Sequence, residues 1–508
     1  MSAQRHPDET ITAAGGAPAS ASSPTSLRAA GLALAGLSAI FLFEMLDNSI
    51  LNVALPTIGR DLHASTTGLQ WVTGSYAVVF GGLMLVFGAV ADRFGRRRIM
   101  LIGLVLLGVA SLATAFVTTA DQLIAVRVVM GIAAAMTTPG SMALAFRLFD
   151  TESLRVRAIT LISTVGLVGL AVGPTVGGLV LAIAPWQVLL LVNVPIAALA
   201  FVGIRFGIAR DDAADLHRDP IDVAGAALGT ATIVFALVAP TLFVNEGAGS
   251  WLPWAMTTAA VAGAIAFVRR ERTARHPLLD LKLIARPLVS SGLAFKAAAG
   301  LATAGLGYMV TLQLQLAWGW PPALAALGML PQVVVLLGAG PFVNPFVERV
   351  GLGRAAWLSA SAVVIGLAVY AVLGSFGYAW VAISLALVAA GLRVVGVVAA
   401  VNVLNGLPKN RTSIGAALSD SVTEVASAIG VAVTGTVLAA VFVGTLASTN
   451  WVPAQTAQFQ QAITISALSL TVIAAALVGW GIVRTRRAGA GGDDAANGAV
   501  ETRGMGQE

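Results

Sequence analysis

The chain predicts an all-α polytopic membrane protein of fourteen transmembrane helices, and three observations carry that reading. The first is composition: of 508 residues 57% are hydrophobic and 11% charged, and the mean hydropathy is +0.87, outside the range of soluble globular domains. The second is a series of apolar runs, each long enough at about 1.5 Å rise per residue to cross a hydrocarbon core about 30 Å thick. The third is the placement of the thirty Lys and Arg residues.

Residues 1–26, rich in Ala, Ser, Pro and Gly, read as a disordered tail, and 486–508 read the same way. The first apolar run lacks a small-residue cleavage site and is expected to be a retained helix, not a signal peptide. Cuts at charges, prolines and polar clusters place spans near 29–53, 68–91, 99–119, 122–146, 157–183, 186–208, 221–243, 252–270, 288–312, 323–346, 354–374, 377–404, 414–441 and 460–483. With the amino terminus inside, the inner segments hold Arg93, Arg96, Arg97 and Arg98, then Arg147, Arg155 and Arg157, then Arg205, Arg210 and Arg218. They also hold the cluster from Arg269 to Arg286, Arg349, Arg354, Lys409, Arg411 and the Arg484, Arg486, Arg487 group, whereas Arg60 stands alone outside. That asymmetry predicts a multi-pass protein of the inner (cytoplasmic) membrane with both termini cytoplasmic.

The formal net charge of +6 is read as topology information and not as a nucleic-acid surface. Absence of cysteine excludes disulfides, thiolate metal sites and thiol catalysis, and the four histidines, His6, His63, His217 and His276, all lie outside the spans. No phosphate-binding loop and no nucleophile with its base lies within the spans, so neither an enzyme, a metal site nor a cofactor is expected.

Seven charged residues fall inside spans: Glu44, Asp47, Arg127, Lys296, Arg393, Asp420 and Glu424. A charge at the bilayer centre costs at least about 2.5 to 3.5 kcal/mol on insertion scales, so these seven should face a bundle interior or a wet cavity and find partners there. Two of them share one face of the first span, in FLFEMLDNSILNVALP (41–56), because residues three apart are helix neighbours.

After the second span comes GAVADRFGRRR (88–98), where Gly88 allows close helix approach, Asp92 can cap or pair at a helix end, and Gly95 permits a tight turn. Its order of Gly88, Asp92, Arg93, Gly95 and Arg96 resembles the loop between the second and third helices of the major facilitator superfamily. A degraded copy, Glu348, Arg349 and Gly351 in NPFVERVGLGR, follows 256 residues later, as two homologous six-helix halves would leave behind. The fifth span carries GLAVGPTVGG, whose Gly169, Gly173, Pro174, Gly177 and Gly178 form a small-residue packing face with a proline kink. Its spacing resembles the motif of the superfamily's antiporters. LIAVRVVMGIAAA (123–135) is similar to the fourth-helix motif around a buried arginine, here Arg127, with Met130 where the family has a polar residue. LDNSILNVALP (46–56) resembles the first-helix motif of the fourteen-helix drug:proton antiporter family. The segment around Asp420 and Glu424 matches the thirteenth-helix pattern more loosely, and Lys296 and Arg393 depart from the family's pattern.

The resemblance implies two six-helix halves, 27–210 and 287–485, with two extra helices and their linkers at 211–286. It implies a cavity lined by the first and fourth helices. Counted along the spans, Asp47 lies about 9 Å below the outer edge of the first and Arg127 about 8 Å below that of the fourth, so the two are expected to pair. Glu44, one turn deeper and without an obvious basic partner, is then the acid free to take up and release a proton; the alternative is that both carboxylates only tie helices together. Lys296, Arg393, Asp420 and Glu424 fall about 12 to 18 Å from the inner face and form either a substrate site or a structural ion-pair network. The function implied is proton-coupled export of an amphipathic cationic or zwitterionic drug or antibiotic by a monomer. Export of an endogenous metabolite by the same chemistry is the alternative, and proton-coupled uptake stands behind both.

Overall fold

The computed structural model describes residues 24, 26–149, 151–211, 222–275, 277, 280–407, 412–442, 446 and 451–504. The expected tail over 1–26 therefore lies almost wholly outside the described residues, as do His6, His217, Arg218, His276, Lys409 and Arg411. The described chain is helical throughout. The first group is α1 (Gly31–Asp61), α2 (Thr66–Phe94), α3 (Arg96–Ala113), α4 (Ala120–Arg147), α5 (Glu152–Leu181), α6 (Gln187–Leu191) and α7 (Asn193–Gly207). Next come α8 (Val223–Glu246), α9 (Trp251–Thr273) and the short α10 (Leu281–Ile284). The second group is α11 (Pro287–Leu312), α12 (Pro322–Leu327), α13 (Leu330–Gly338), α14 (Gly340–Val350), α15 (Leu352–Leu373), α16 (Tyr378–Asn405), α17 (Thr412–Val441) and α18 (Pro453–Gly504). Among the described residues twelve helices are long and apolar enough to span a membrane, and two bent pairs bring the number to fourteen.

Helix ends follow local chemistry. Ser65 and Thr119 cap α2 and α4, their hydroxyls accepting from the backbone N–H of Gly68 at 3.0 Å and Gln122 at 3.3 Å. Gly95 (φ 101°) joins α2 to α3 and Gly351 (φ 83°) joins α14 to α15, left-handed backbone that favours glycine in both copies of the repeated loop.

Several expected boundaries change. Pro56 lies inside α1 without ending it, and the helix continues to Asp61, where the sequence predicts an end near 53. Asp47 thus lies about 21 Å from the end of α1 and Arg127 about 10 Å from the start of α4, so the counted distances to the helix ends change. The span expected at 68–91 bends by 50° between Met84 and Val86. That expected at 323–346 is three pieces bent by 60° at Gly338–Gly340, where Pro341 withholds a backbone donor. α18 carries the helix bounds Pro453–Gly504, which run past the expected last span at 460–483.

α1 packs on α5 and α7, α2 and α3 on α4, and α3 on α7; α11 packs on α16, α17 and α18, and α15 on α16 and α18. α8 and α9 pair with each other, and α8 lies against α2 and α17 at the seam between the groups. Thr230 Oγ1 donates to Gly82 O at 2.9 Å, and Gln70 Nε2 donates both to Thr241 Oγ1 at 3.2 Å and to Ala432 O at 3.3 Å, tying α8, α2 and α17 together. At the other end of α8, Asp222 caps the helix and holds Arg270 of α9 through contacts of 3.0–3.1 Å; that guanidinium keeps the Asp222 carboxyl below the usual carboxylate range.

The arginine-rich loop after α2 marks one face of the bundle, called here the basic face. The two groups touch from the opposite, far face down to mid-helix. Gln315 Nε2 donates to Val53 O at 2.8 Å, Gly178 abuts Pro322 and Ala326, and Gly435 abuts Gln70. At mid-helix a Cβ on Gly81 would lie 3.0 Å from Val425 and 3.2 Å from the Glu424 side chain.

Candidate functional site

The acids of FLFEMLDNSILNVALP occupy one buried face of α1, Glu44 5% and Asp47 2% exposed. Arg127, fully buried, reaches across from α4 and donates from Nη1 to Asp47 Oδ2 at 2.5 Å, so the ion pair expected from the sequence is present. Arg127 Nε donates to Val72 O at 3.3 Å, and its guanidinium carbon sits 4.4 Å from the Tyr76 ring centroid, a desolvated cation–π contact. Asn193, the first residue of α7, donates from Nδ2 to Asp47 Oδ1 at 2.8 Å. Both Asp47 oxygens therefore accept hydrogen bonds from side-chain donors, one of them the Arg127 guanidinium.

Glu44 has different company. Thr138 Oγ1 on α4 donates to Glu44 Oε2 at 3.0 Å, and Glu44 forms no ion pair among the described residues. A hydroxyl can donate to a carboxylate or accept from a carboxylic acid, so this partner serves both protonation states. Asn193, Tyr76 and Thr138 were not singled out from the sequence. Asn193 could have been: it is an amide inside the apolar run LLLVNVPIAAL, and such a group buried in a span must find a partner.

On α17, Asp420 Oδ1 lies 3.6 Å from Lys296 Nζ of α11, with side chains 37% and 19% exposed. Glu424 is buried at the contact with Gly81 of α2. Asp420, Glu424 and Lys296 lie within longer-range electrostatic reach of Glu44, with no hydrogen bond or ion pair joining α1 to α17 there among the described residues. Three carboxylates there face one ammonium, a balance that favours a cationic guest. Arg393 does not complete the expected set of two acids and two bases; its guanidinium lies beside Gly340 at the break between α13 and α14.

The loop residues are placed as follows. Asp92 Oδ1 and Arg96 Nε form an ion pair at 2.6 Å across one turn, and Arg93 lies over Phe94 at 5.7 Å. Arg97 does more than mark a side of the membrane: it is buried and donates from Nε to Ile204 O at 3.3 Å and from Nη2 to Arg205 O at 2.5 Å, satisfying the carboxyl end of α7. Asp211 caps α3, its carboxylate accepting from Arg97 N at 3.1 Å and Arg98 N at 3.4 Å and filling the space a side chain on Gly95 would need. Asp211 was missed because it lies 116 residues beyond Gly95 in sequence and no local pattern links the two. Gly88 does not carry the close approach expected of it, since an added Cβ would meet only Pro139 at 3.8 Å; Gly131, whose Cβ would lie 2.8 Å from Tyr76 O, does. In the second copy Glu348 and Arg349 are exposed and unpaired among the described residues, so the glycine joint is repeated and the ion pair is not.

The glycines of α5 seat α1. A Cβ on Gly169 would lie 3.0 Å from Leu42, one on Gly173 would collide with Ser49, and Gly177 faces Ile50 at 3.5 Å. Pro174 stands inside the same helix. Gly178 instead faces Pro322 and Ala326 of the second group. Gly178→Leu is therefore expected to wedge the far face open. In this cysteine-free chain, Asn52→Cys at the same seam should then react several-fold faster with an impermeant maleimide; an unchanged rate would count against the assignment.

The family model described as Major Facilitator Superfamily matches residues 37–431. The chain belongs to that superfamily. Multidrug efflux pump LfrA of Mycolicibacterium smegmatis is 30% identical over 431 residues, 84% of each chain. Methyl viologen resistance protein SmvA of Salmonella typhimurium is 31% identical over 319 residues, 62% of this facilitator and 63% of its own length, so that match spans under two thirds of the relative. Cephamycin export protein CmcT of Amycolatopsis lactamdurans is 32% identical over 336 residues, 66% of this chain and 67% of its own. Among solved structures, the POT family transporter PepTSo has a TM-score of 0.65 at 15% identity, covering 92% of this facilitator and 99% of that chain. A bacterial homolog of the lysosomal transporter Spinster, inward-facing and unoccupied, has a TM-score of 0.63 at 14% identity, covering 91% and 98%. These likenesses establish the facilitator fold and nothing finer.

Proposed function

We propose that this facilitator is a proton-coupled antiporter that exports amphipathic drugs or antibiotics carrying a cationic group. The observation that carries the reading is the contrast between the two acids of α1. Asp47 is held by donors alone, whereas Glu44 meets a hydroxyl that tolerates either protonation state and stands beside Asp420 and Glu424. A cation drawn to that cluster and a proton on Glu44 each reduce its negative charge, so they compete, and competition is what exchange of one for the other requires. The names of the relatives, efflux pump, resistance protein and export protein, support the direction.

On this reading the basic face is cytoplasmic, both termini lie there, and the membrane is the inner one. The halves are 27–210 and 287–485, with α8 and α9 inserted at 211–286, and the working unit is a monomer. Contacts between the halves from the far face to mid-membrane fit a state closed to the outside. Gly88, Asp92, Arg93, Gly95 and Arg96, with Glu348 and Arg349 in the second half, act on the switch between states; Gly169, Gly173, Pro174 and Gly177 supply the surface on which α1 and α5 move together, and Gly178 the contact of α5 with the second half.

The test is flux into proteoliposomes with an imposed pH gradient, acid inside, and rhodamine B ethyl ester as an amphipathic cation. Gradient-dependent accumulation without ATP is expected. Accumulation that survives collapse of the gradient by nigericin would remove proton coupling from the reading.

A further inference from the structure

Of the three cations that the sequence places deep within spans, Arg127 is paired with Asp47 and Lys296 with Asp420. Arg393 has no hydrogen bond or ion pair among the described residues, and its Nε is buried and unsatisfied. It lies about 22 Å from one end of α16 and about 18 Å from the other, too deep for snorkelling to bring it to a lipid headgroup. The acids on the neighbouring helix do not serve it: Asp420 lies against Lys296, and Glu424 is turned to Gly81 of α2.

A buried carboxylic acid can relieve its desolvation cost by taking up a proton. A guanidinium cannot lose one in a protein, and Arg393, partly buried with its Nε shut away from solvent, has no anion of this chain to answer its charge among the described residues. The surroundings leave room for one. Gly340 begins α14 at the 60° break, and a Cβ there would lie 3.0 Å from Arg393 Nη2, so the guanidinium occupies space a side chain would take. α13, on the other side of the break, packs against α5 of the first half, which places the break beside the space between the halves.

We infer that Arg393 receives the anionic group, a carboxylate, of the transported molecule, whose cationic group is taken by Asp420, Glu424 and Glu44. The preferred cargo is then an amphipathic zwitterion. This rests on the export reading and narrows its substrate class. A carboxylate can accept two parallel N–H bonds from a guanidinium, which makes the pairing directional as well as charged.

The test uses two dyes that differ at one group: rhodamine B, a zwitterion, and rhodamine B ethyl ester, the same cation with its carboxylate masked. Binding is measured by fluorescence anisotropy on the purified full-length chain. Wild type is expected to bind rhodamine B about tenfold or more tightly than the ester. Arg393→Gln should erase that preference by weakening rhodamine B alone. Arg393→Lys, which keeps the charge and loses the fork, should weaken rhodamine B several-fold and leave the ester unchanged, and it carries the test if the glutamine variant is not recovered folded. Equal binding of the two dyes by wild type, no saturable binding of rhodamine B, or equal weakening of both dyes in the variants would overturn the inference. Preference for rhodamine B without gradient-driven flux removes the antiport reading alone, and gradient-driven flux of the ester without that preference removes this inference alone.

Discussion

Asp47→Asn is expected to cost about 3 to 5 kcal/mol of stability as well as transport, because it leaves a fully buried guanidinium without its counter-charge. The substitution is less conservative than its shape suggests. Arg127 Nη1 and Asn193 Nδ2 donate to the two separate oxygens of Asp47, so the new amide must turn its oxygen to Arg127 and its nitrogen to an Asn193 that flips to accept, and that rearrangement still leaves the guanidinium without a counter-charge. Arg127 Nη2 is already without a hydrogen-bond partner, so the site has no spare acceptor to take over. Thermal unfolding of the purified chain in detergent is the measurement. Replacing both partners, Asp47→Leu with Arg127→Met, should recover much of the lost melting temperature while leaving transport absent, since a buried pair exchanged whole for apolar groups costs far less than one broken. A melting temperature unchanged in Asp47→Asn would mean that water reaches the pair and screens it.

The second large effect is on coupling. Glu44→Gln should reduce gradient-driven flux by at least about tenfold while expression, melting temperature and exchange of labelled for unlabelled dye persist, because glutamine keeps an acceptor for Thr138 and cannot release a proton. The sign of the pH dependence follows from competition. In wild type a proton leaving Glu44 adds negative charge to the cluster, so affinity for rhodamine B ethyl ester rises with pH by up to about tenfold per unit for one competing proton. In Glu44→Gln the same titration should be flat. If the slope instead survives in Glu44→Gln and disappears in Asp420→Asn or Glu424→Gln, the exchangeable proton belongs to α17.

Much of this arrangement is legible in the amino-acid sequence. An intramembrane charge is so costly that each of the seven announces a buried or wet interior position, and Asp47 and Arg127 meet as their opposite signs suggest. Helix ends are less legible: α1 continues nearly two turns beyond Leu55, a length that Pro56 obscures, although Asp47 and Arg127 do meet at one level. The second-half set departs from expectation for a related reason. Opposite charges on adjacent helices invite pairing on paper, but Lys296 alone reaches Asp420, while Arg393 points to the glycine at the α13–α14 break.

The sequence by itself determined the solvent and the helical class, because these depend on composition and run length, each a property of local segments in lipid. The tertiary structure alone decided which acid is locked and which is left open. That choice turns on Asn193 and Thr138, 146 and 94 residues from their partners, and on Asp211 far from the loop it caps. Helical periodicity tells which face of a helix a residue occupies, whereas its hydrogen-bond partner is set by how helices distant in sequence cross. Gly81 against Glu424, Gly131 against Tyr76 and Gly340 against Arg393 mark positions where the missing side chain lets that crossing happen.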